Sequence, residues 1–395
     1  MQKDLDLFFS NYLAKQSIFL NKKALQPAYT PEDILYREEQ TLQIAEVIAP
    51  ALRGEKPSNL FIYGKTGAGK TLTTRHVSDQ AAAHSGKLKF CHINCKMKKV
   101  ADTEYRLILQ LCQEFGKNLP TTGLPTDELY KALFSAIAKE EKTVMIILDE
   151  VDQLVKKCGD EILYNLTRIN EEVKGAQVSI IGISNDLTFL ENIDPRAKSS
   201  LCDEEIIFPP YNAIQLQGIL SERAKQAFQD SVVEVGVVEK CSAYAAKEHG
   251  DARRAIDLLR VSGEIAERND FGKVTIACVD LAEEKIERDR VVDVLISQPK
   301  QHQAVIYSMF VSSDGRKKPL FTGEVYEVYK KICLHAGLRP LTQRRVSDII
   351  SELDMLGVIS AKVKSKGRYG RTTEIELAIE SKLHVRKILE DGLSI

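Results

Sequence analysis

Residues 64–71 read GKTGAGKT, and that spacing of glycines, lysine and hydroxyl suits one chemistry, the cradling of a phosphate. Gly64, Gly69, Lys70 and Thr71 fill the pattern GxxxxGK[ST]. Glycines let consecutive backbone N–H groups turn inward around an anion, and a following helix points its N-terminus at the same charge. In such a loop Lys70 reaches the β- and γ-phosphates and the Thr71 hydroxyl ligates Mg²⁺, while Gly67, Ala68, Gly69 and Leu72 complete the cradle. By itself the motif indicates ATP or GTP.

A second cluster lies at residues 144–152, VMIILDEVD, where an apolar run ends in adjacent carboxylates. In a parallel α/β sheet ligands gather at that end of the strands. Asp149 is expected to hold Mg²⁺ through water, and Glu150 to polarise an attacking water. Phosphoryl transfer is mostly positioning and charge stabilisation, so one metal, one lysine and one water-orienting carboxylate form a sufficient core.

These groups need a frame. LFIY from residue 60 is a short β-prone run, the glycine-rich turn follows it, and TLTTRHVSDQAAA reads as a helix. KLKFCHIN, VMIILDE, AQVSIIGISND and CDEEIIFPPY supply four more strands, with helices read at residues 103–116 and from Thr126. Strands alternating with helices predict a parallel sheet covered on both faces. After Tyr211 the strands stop, and helices are predicted over 212–229, 233–248, 252–268 and 276–289. A boundary is expected near Gln298, Pro299 and Lys300, followed by three helices and a terminal β-ribbon.

The chain has 395 residues, 44% of them apolar and 28% charged, which suits two or three soluble domains. No apolar run approaches the ~20 residues of a membrane span, and the first residues lack a signal-peptide pattern, so the cytoplasm is the expected compartment. The eight cysteines are scattered without a CxxC pair, which argues against a zinc site or a disulfide framework. Net charge is −1, but it is unevenly spread. From Val291 onward seventeen Lys and Arg stand against twelve Asp and Glu, leaving 38 of the 55 bases and 44 of the 56 acids before that point. A basic last quarter directs the search for nucleic-acid contacts there.

GKTGAGKT followed by LDEVD resembles the AAA+ ATPases. The resemblance implies that Asn185, in ISND, is the sensor-one residue and that Arg253, in GDARRAIDLLR, is the sensor-two arginine of a mobile lid. A guanidinium there can read the γ-phosphate and couple its loss to domain movement. Across nearly the whole chain the sequence is similar to the archaeal origin-recognition proteins, through ILYREEQ, LRGEKPSNLFIYG, NIDPRAKSSL and FPPY. This implies that Arg196 is an arginine finger acting on a neighbour's ATP, and that Tyr211 and Arg223 lie near the nucleotide. It also implies an extra DNA-touching helix within residues 96–117. Tyr36 departs from the His expected in many relatives, which bears on the adenine side of the site and not on the phosphates.

In the last quarter, residues 341–359 form an amphipathic helix running into a strand, with Thr342 as N-cap and Val346, Ile349, Ile350, Leu353 and Leu356 as the buried stripe. SAKVKSKGRYGRTTEIEL then reads as a hairpin crowded with Lys362, Lys364, Lys366, Arg368 and Arg371. Helices followed by a basic hairpin resemble a winged helix, whose helix enters the major groove while the wing reaches backbone or minor groove. Arg344, Arg345 and Arg368 are candidates for base contact, since a guanidinium can fork onto guanine, and Lys364, Lys366 and Arg371 for phosphate contact.

The expected architecture is an α/β P-loop AAA+ domain with a parallel sheet over residues 1–211, a helical lid over 212–290, and a C-terminal winged-helix domain over 291–395. The expected function is an ATP-dependent replication initiator that binds double-stranded origin DNA, uses ATP/ADP and Mg²⁺, and hydrolyses ATP slowly as a switch. Paralogous initiator subunits and the replicative helicase are expected partners, at the nucleoid and away from membranes. The alternative is a P-loop ATPase of signalling or transcription whose winged helix binds a promoter or a protein.

Overall fold

Alternating residues of the apolar strands feed two separate cores. Leu60, Ile62, Met145, Ile147, Ile181 and Ile183 pack with Ile44, Val47 and Ile48 on one side of a sheet. Phe61, Val144, Ile146, Leu148, Val178 and Ile180 pack with Leu107, Leu111, Leu133 and Leu163 on the other. A strand buried on both faces must be apolar at every position, and the burial of Val144 to Leu148 follows that rule.

The computed structural model describes residues 17–27, 29–31, 33–96, 103–173, 175–201, 203–313, 320–356, 358–365, 371–377, 382–393 and 395. The chain divides into two compact units, one up to Val279 and one from Asp280 onward. In the first, α1 (Glu38–Leu52) leads to β1 (Leu60–Gly64), α2 (Lys70–His84) and β2 (Leu88–Asn94). Then come α3 (Glu104–Glu114), α4 (Thr126–Ala138), β3 (Thr143–Asp149) and the short α5 (Val151–Cys158), α6 (Glu161–Thr167) and α7 (Ile169–Glu172). β4 (Gln177–Ser184), α8 (Pro195–Leu201) and β5 (Glu204–Phe208) complete the sheet.

All five strands are parallel, in the order β2-β3-β4-β1-β5. Their register aligns the carboxyl ends. Asp149 lies level with Asn94 and Ile183, Tyr63 with Ser184, and Gly64 with Phe208. The loops that follow β1, β3, β4 and β5 therefore all start from one edge.

α9 (Ala213–Ala227), α10 (Val237–Lys247) and α11 (Ala252–Arg268) form a helical layer. α9 opens with a capping box, Asn212 accepting from Gln215 N and the Gln215 side chain accepting from Asn212 N. The N-terminal segment is strapped to this layer. Leu20 N and Asn21 N donate to Ala227 O, Gln229 N donates to Ile18 O, and the Phe19 ring stacks on Phe228 at 4.8 Å. α12 (Ile276–Ser297) continues the chain past the predicted helix end at 289.

The second unit holds α13 (Lys300–Ser313), β6 (Leu320–Phe321), α14 (Thr322–His335), α15 (Gln343–Met355), β7 (Ile359–Ser365) and β8 (Arg371–Leu377). Its antiparallel sheet runs β6-β8-β7. The ribbon is not the last element, contrary to the expectation from sequence: α16 (Lys382–Leu393) follows. Val385, Leu389 and Leu393, one turn apart, are buried in the same core as Met309, Tyr329, Val346, Ile349 and Ile375. Among the described residues no helix is long and apolar enough to cross a membrane.

Candidate functional site

The loops at the shared edge of the sheet enclose a cavity of about 490 Å³. It is lined by Gly67, Ala68, Gly69, Lys70, Thr71, Leu72, Asp149, Glu150, Asn185, Tyr211, Arg223 and Arg253. These residues come from four strand ends, α9 and α11, and the parallel register is what brings them together.

Lys70 is buried, and its three ammonium donors go to uncharged oxygens: Gly64 O at 2.7 Å, Lys65 O at 2.9 Å and Asn185 Oδ1 at 2.8 Å. Burial lowers its pKa to about 8, with Asp149 pulling it back up and Arg253 pushing it further down. A buried cation hydrogen-bonded to neutral acceptors is a receptor for an anion. Thr71 Oγ1 donates to Asp149 Oδ2 at 3.0 Å, so a hydroxyl and a carboxylate stand side by side as hard oxygen ligands of the kind Mg²⁺ prefers. Burial raises the Asp149 pKa, and the hydrogen bond from Thr71 opposes that shift. A magnesium-bound nucleotide supplies the opposite charges these groups lack, and the donor set fits it.

Two glycines of the loop permit close approaches. Gly69 has φ +93, and a Cβ there would stand 2.7 Å from the Tyr211 hydroxyl. Gly67 has φ +72, and a Cβ there would stand 1.8 Å from Asp251 Oδ1. Asp251 caps α11 by accepting from Arg253 N at 2.8 Å and Arg254 N at 3.3 Å, and Ala252 N donates to Gly67 O at 3.3 Å. The first turn of α11, which carries Arg253, is thus seated directly on the phosphate loop.

Glu150 is a non-glycine residue in the left-handed region, φ 55, between β3 and α5. Such a conformation costs of order 1 kcal/mol and persists where the surroundings fix it. Its Oε2 lies 3.4 Å from Lys96 Nζ. Asp152, the last acid of LDEVD, is buried and accepts from Ser184 Oγ at 3.1 Å, which ties the β3–α5 junction to the strand end carrying Asn185.

Tyr211 is buried, and burial raises its pKa. Arg223 is buried too, with its pKa lowered by burial; it donates to Ala24 O at 3.3 Å and stacks 4.6 Å over Tyr29. The N-terminal segment also lines the cavity, through Leu25, Tyr29, Ile34 and Leu35. Sequence pattern gives Leu25 and Tyr29 no part in the site, because their place there depends on partners far away in the chain.

Arg196 lies outside the cavity. Its Nε and Nη2 each reach Asp194 at 3.1 Å, and the guanidinium sits 5.7 Å over the Tyr164 ring. The exposed hydrogen bonds to Asp194 carry its pKa above the ordinary guanidinium value.

In the second unit, Thr342 accepts from Arg345 N and starts α15. Val346, Ile349, Ile350 and Leu353 are buried, Arg344 and Arg345 are exposed, and Leu356, expected in the buried stripe, is also exposed. Arg345 Nη1 lies 3.2 Å from Glu352 Oε1 and 3.8 Å from Asp348 Oδ2. Lys364 pairs through its backbone register with Thr372, and Arg371 with Ser365. Lys362 stands opposite Glu374 and Ser360 opposite Glu376, so one arm of the ribbon carries acids as well as bases. Lys366 and Arg368 lie outside the described residues, as do Lys98 and Lys99 before α3.

The chain is similar to known proteins in sequence and in fold. Residues 53–190 match the family model of the AAA domain, residues 217–284 that of the Cdc6 AAA+ ATPase-type lid domain, and residues 293–386 that of the CDC6 C-terminal winged helix domain. The ORC1-type DNA replication protein of Pyrococcus abyssi is 50% identical over 386 residues, covering 96% of this chain and 91% of that one. The ORC1-type DNA replication protein 1 of Methanosarcina acetivorans is 50% identical over 395 residues, covering 98% and 94%. The structure of the Aeropyrum pernix ORC1 protein in complex with DNA superposes with a TM-score of 0.82 at 43% identity, covering 95% of this chain and 98% of that one.

Proposed function

The chain belongs to the ORC1-type DNA replication proteins, and from that premise we propose that it initiates replication by binding duplex origin DNA under the control of ATP. The observation that carries the nucleotide half of this reading is the meeting of Lys70, Asn185 and Arg253 in one cavity, with the first turn of α11 against Gly67. A lid helix so seated senses what fills the phosphate loop. The DNA half draws on the Aeropyrum pernix relative, whose structure is a complex with DNA, and on exposed Arg344 and Arg345 at the start of α15.

In this reading residues 1–211 form the nucleotide-binding base, 212–290 the lid and 291–395 the DNA reader. Lys70 holds the β- and γ-phosphates, Thr71 and Asp149 hold Mg²⁺, and Glu150 orients the attacking water. The bound Mg²⁺ supplies charge neutralisation as the phosphate bond breaks. Asn185 fixes the Lys70 ammonium and Arg253 reports the γ-phosphate to the lid. Tyr211 and Arg223 close the cavity on the side of the base and sugar. Slow hydrolysis makes the site a switch, and Arg196, outside this chain's own cavity, acts on a neighbouring subunit's ATP when paralogous initiators assemble. Arg344, Arg345 and Arg368 read bases, and Lys364, Lys366 and Arg371 hold phosphates. The replicative helicase is the downstream partner, at the nucleoid.

Footprinting on the organism's own origin DNA tests this. Protection of defined origin sites, altered between ATP and ADP, is the expected outcome. Protection no greater than on random DNA with either nucleotide would overturn the origin reading, and wild-type nucleotide binding by Lys70→Ala would overturn the site.

A further inference from the structure

Arg37 is a buried cation whose hydrogen bonds, among the described residues, go to no carboxylate. It is 2% exposed; each of its three nitrogens donates to a backbone carbonyl, and the guanidinium also hydrogen-bonds the Tyr211 side chain. Nε donates to Ala68 O at 2.9 Å, Nη1 to Tyr36 O at 3.2 Å and Nη2 to Pro209 O at 2.5 Å. The guanidinium carbon lies 3.8 Å from the centroid of the Tyr211 ring and 5.6 Å from that of Phe208. Burial draws its pKa below the usual guanidinium range, opposed by Tyr211 and, least of all, by the nearby Glu38 carboxylate. Burying a charge on neutral partners is expensive, and packing alone would favour an apolar side chain. The charge must be kept for what it holds.

What it holds is the orientation of one peptide group. In a planar trans peptide the C=O and the next N–H point in opposite directions. Arg37 Nε holds the Ala68 carbonyl, so the Gly69 N–H of the same peptide points away from Arg37, which does not itself line the cavity that residues 67–70 line. If the donor were lost, that peptide could rotate and present a carbonyl dipole to a phosphate. The same guanidinium grips Pro209 O and stacks on Tyr211, in the short segment between β5 and α9 where the lid helices begin. The Tyr211 hydroxyl stands beside Gly69, which returns the contact to the phosphate loop.

We propose that Arg37 is a positioning residue that locks the Ala68–Gly69 peptide in its anion-binding orientation and ties it to the hinge from which the lid departs. The inference rests on the reading of residues 64–71 as a nucleotide site. It involves no contact between Arg37 and the nucleotide.

The test uses the full chain as Arg37→Gln, Arg37→Lys and Lys70→Ala, titrated calorimetrically with Mg²⁺-ATP and Mg²⁺-ADP, with melting measured in the absence of nucleotide. Arg37→Gln is expected to weaken both nucleotides about tenfold to hundredfold, the effect of losing one charge-assisted hydrogen bond. Arg37→Lys is expected to recover only part of this, since an ammonium cannot fork onto separated carbonyls or stack flat on Tyr211. An arginine that served only packing would lower the melting temperature and leave the affinity of the folded protein unchanged. That outcome, with wild type binding and Lys70→Ala silent, overturns the inference while leaving the nucleotide site intact. A wild-type chain that binds neither nucleotide overturns both. Should Arg37→Gln fail to fold, Arg37→Lys, which keeps the charge, takes its place: weakened nucleotide binding supports the inference and wild-type affinity overturns it.

Discussion

Placing the α11 N-terminus against the phosphate loop makes Gly67→Ala a quantitative test. Two costs are separable. Gly67 has φ +72, and holding alanine in the left-handed region costs about 1–2 kcal/mol. Its new Cβ would also stand 1.8 Å from Asp251 Oδ1, so the carboxylate must swing away and release the amides of Arg253 and Arg254. Loss of such a cap costs about 1 kcal/mol. The sum is about 2–3 kcal/mol, at roughly 2–4 °C of melting temperature per kcal/mol for a unit of this size. Asp251→Ala alone gives up the cap and costs about 1 kcal/mol. In the double variant the collision is gone and the cap is already lost, so only the backbone strain is added. The cycle should therefore leave about 1 kcal/mol of coupling between positions 67 and 251, readable in melting or denaturant titrations without nucleotide. Strictly additive costs would refute the seating of α11 on the loop, and with it the physical link between lid and phosphates.

Other outcomes follow from the same cavity. Because Lys70 titrates near pH 8 in the free site and phosphates favour its charged form, ATP binding takes up a proton above that value. Apparent affinity should then fall about tenfold between about pH 7 and about pH 9, and a flat calorimetric profile would contradict the burial of the ammonium. Asn185→Ala removes one of three acceptors on Lys70 Nζ and should lower kcat more than it raises KM in a phosphate-release assay. Glu150→Gln should bind ATP as wild type while turnover falls by about 10²–10⁴-fold, the usual contribution of a positioned proton acceptor. Arg344→Ala should weaken origin DNA by about 1–3 kcal/mol in a binding titration and relax the preference at one base pair, with random DNA much less affected.

The sequence by itself determined the parts whose physics is local. GKTGAGKT between a strand and a helix, the carboxylates at the end of β3, Thr342 as a cap and the stripe of Val346, Ile349, Ile350 and Leu353 all work through neighbours within a few residues. Their spacing therefore announces them, and the parallel sheet follows from strands that are apolar on both faces. What only the tertiary structure decided is which distant groups meet. Arg37 enters the sequence reading only as part of ILYREEQ, yet it is buried because Ala68 and Pro209, 31 and 172 positions away, turn their carbonyls to it. Asp251 enters the sequence reading only as part of GDARRAIDLLR, and only the lid's approach puts it against Gly67. The strap at Leu25 and Tyr29 carries no motif, because its role is the shape it lends a wall. The helix after the ribbon had a readable signal in Val385, Leu389 and Leu393, but that stripe needed the core of α13 and α14 to bury it. Periodicity and caps are properties of a segment, whereas a buried charge is defined by the carbonyls that receive it, and those are assigned by the fold.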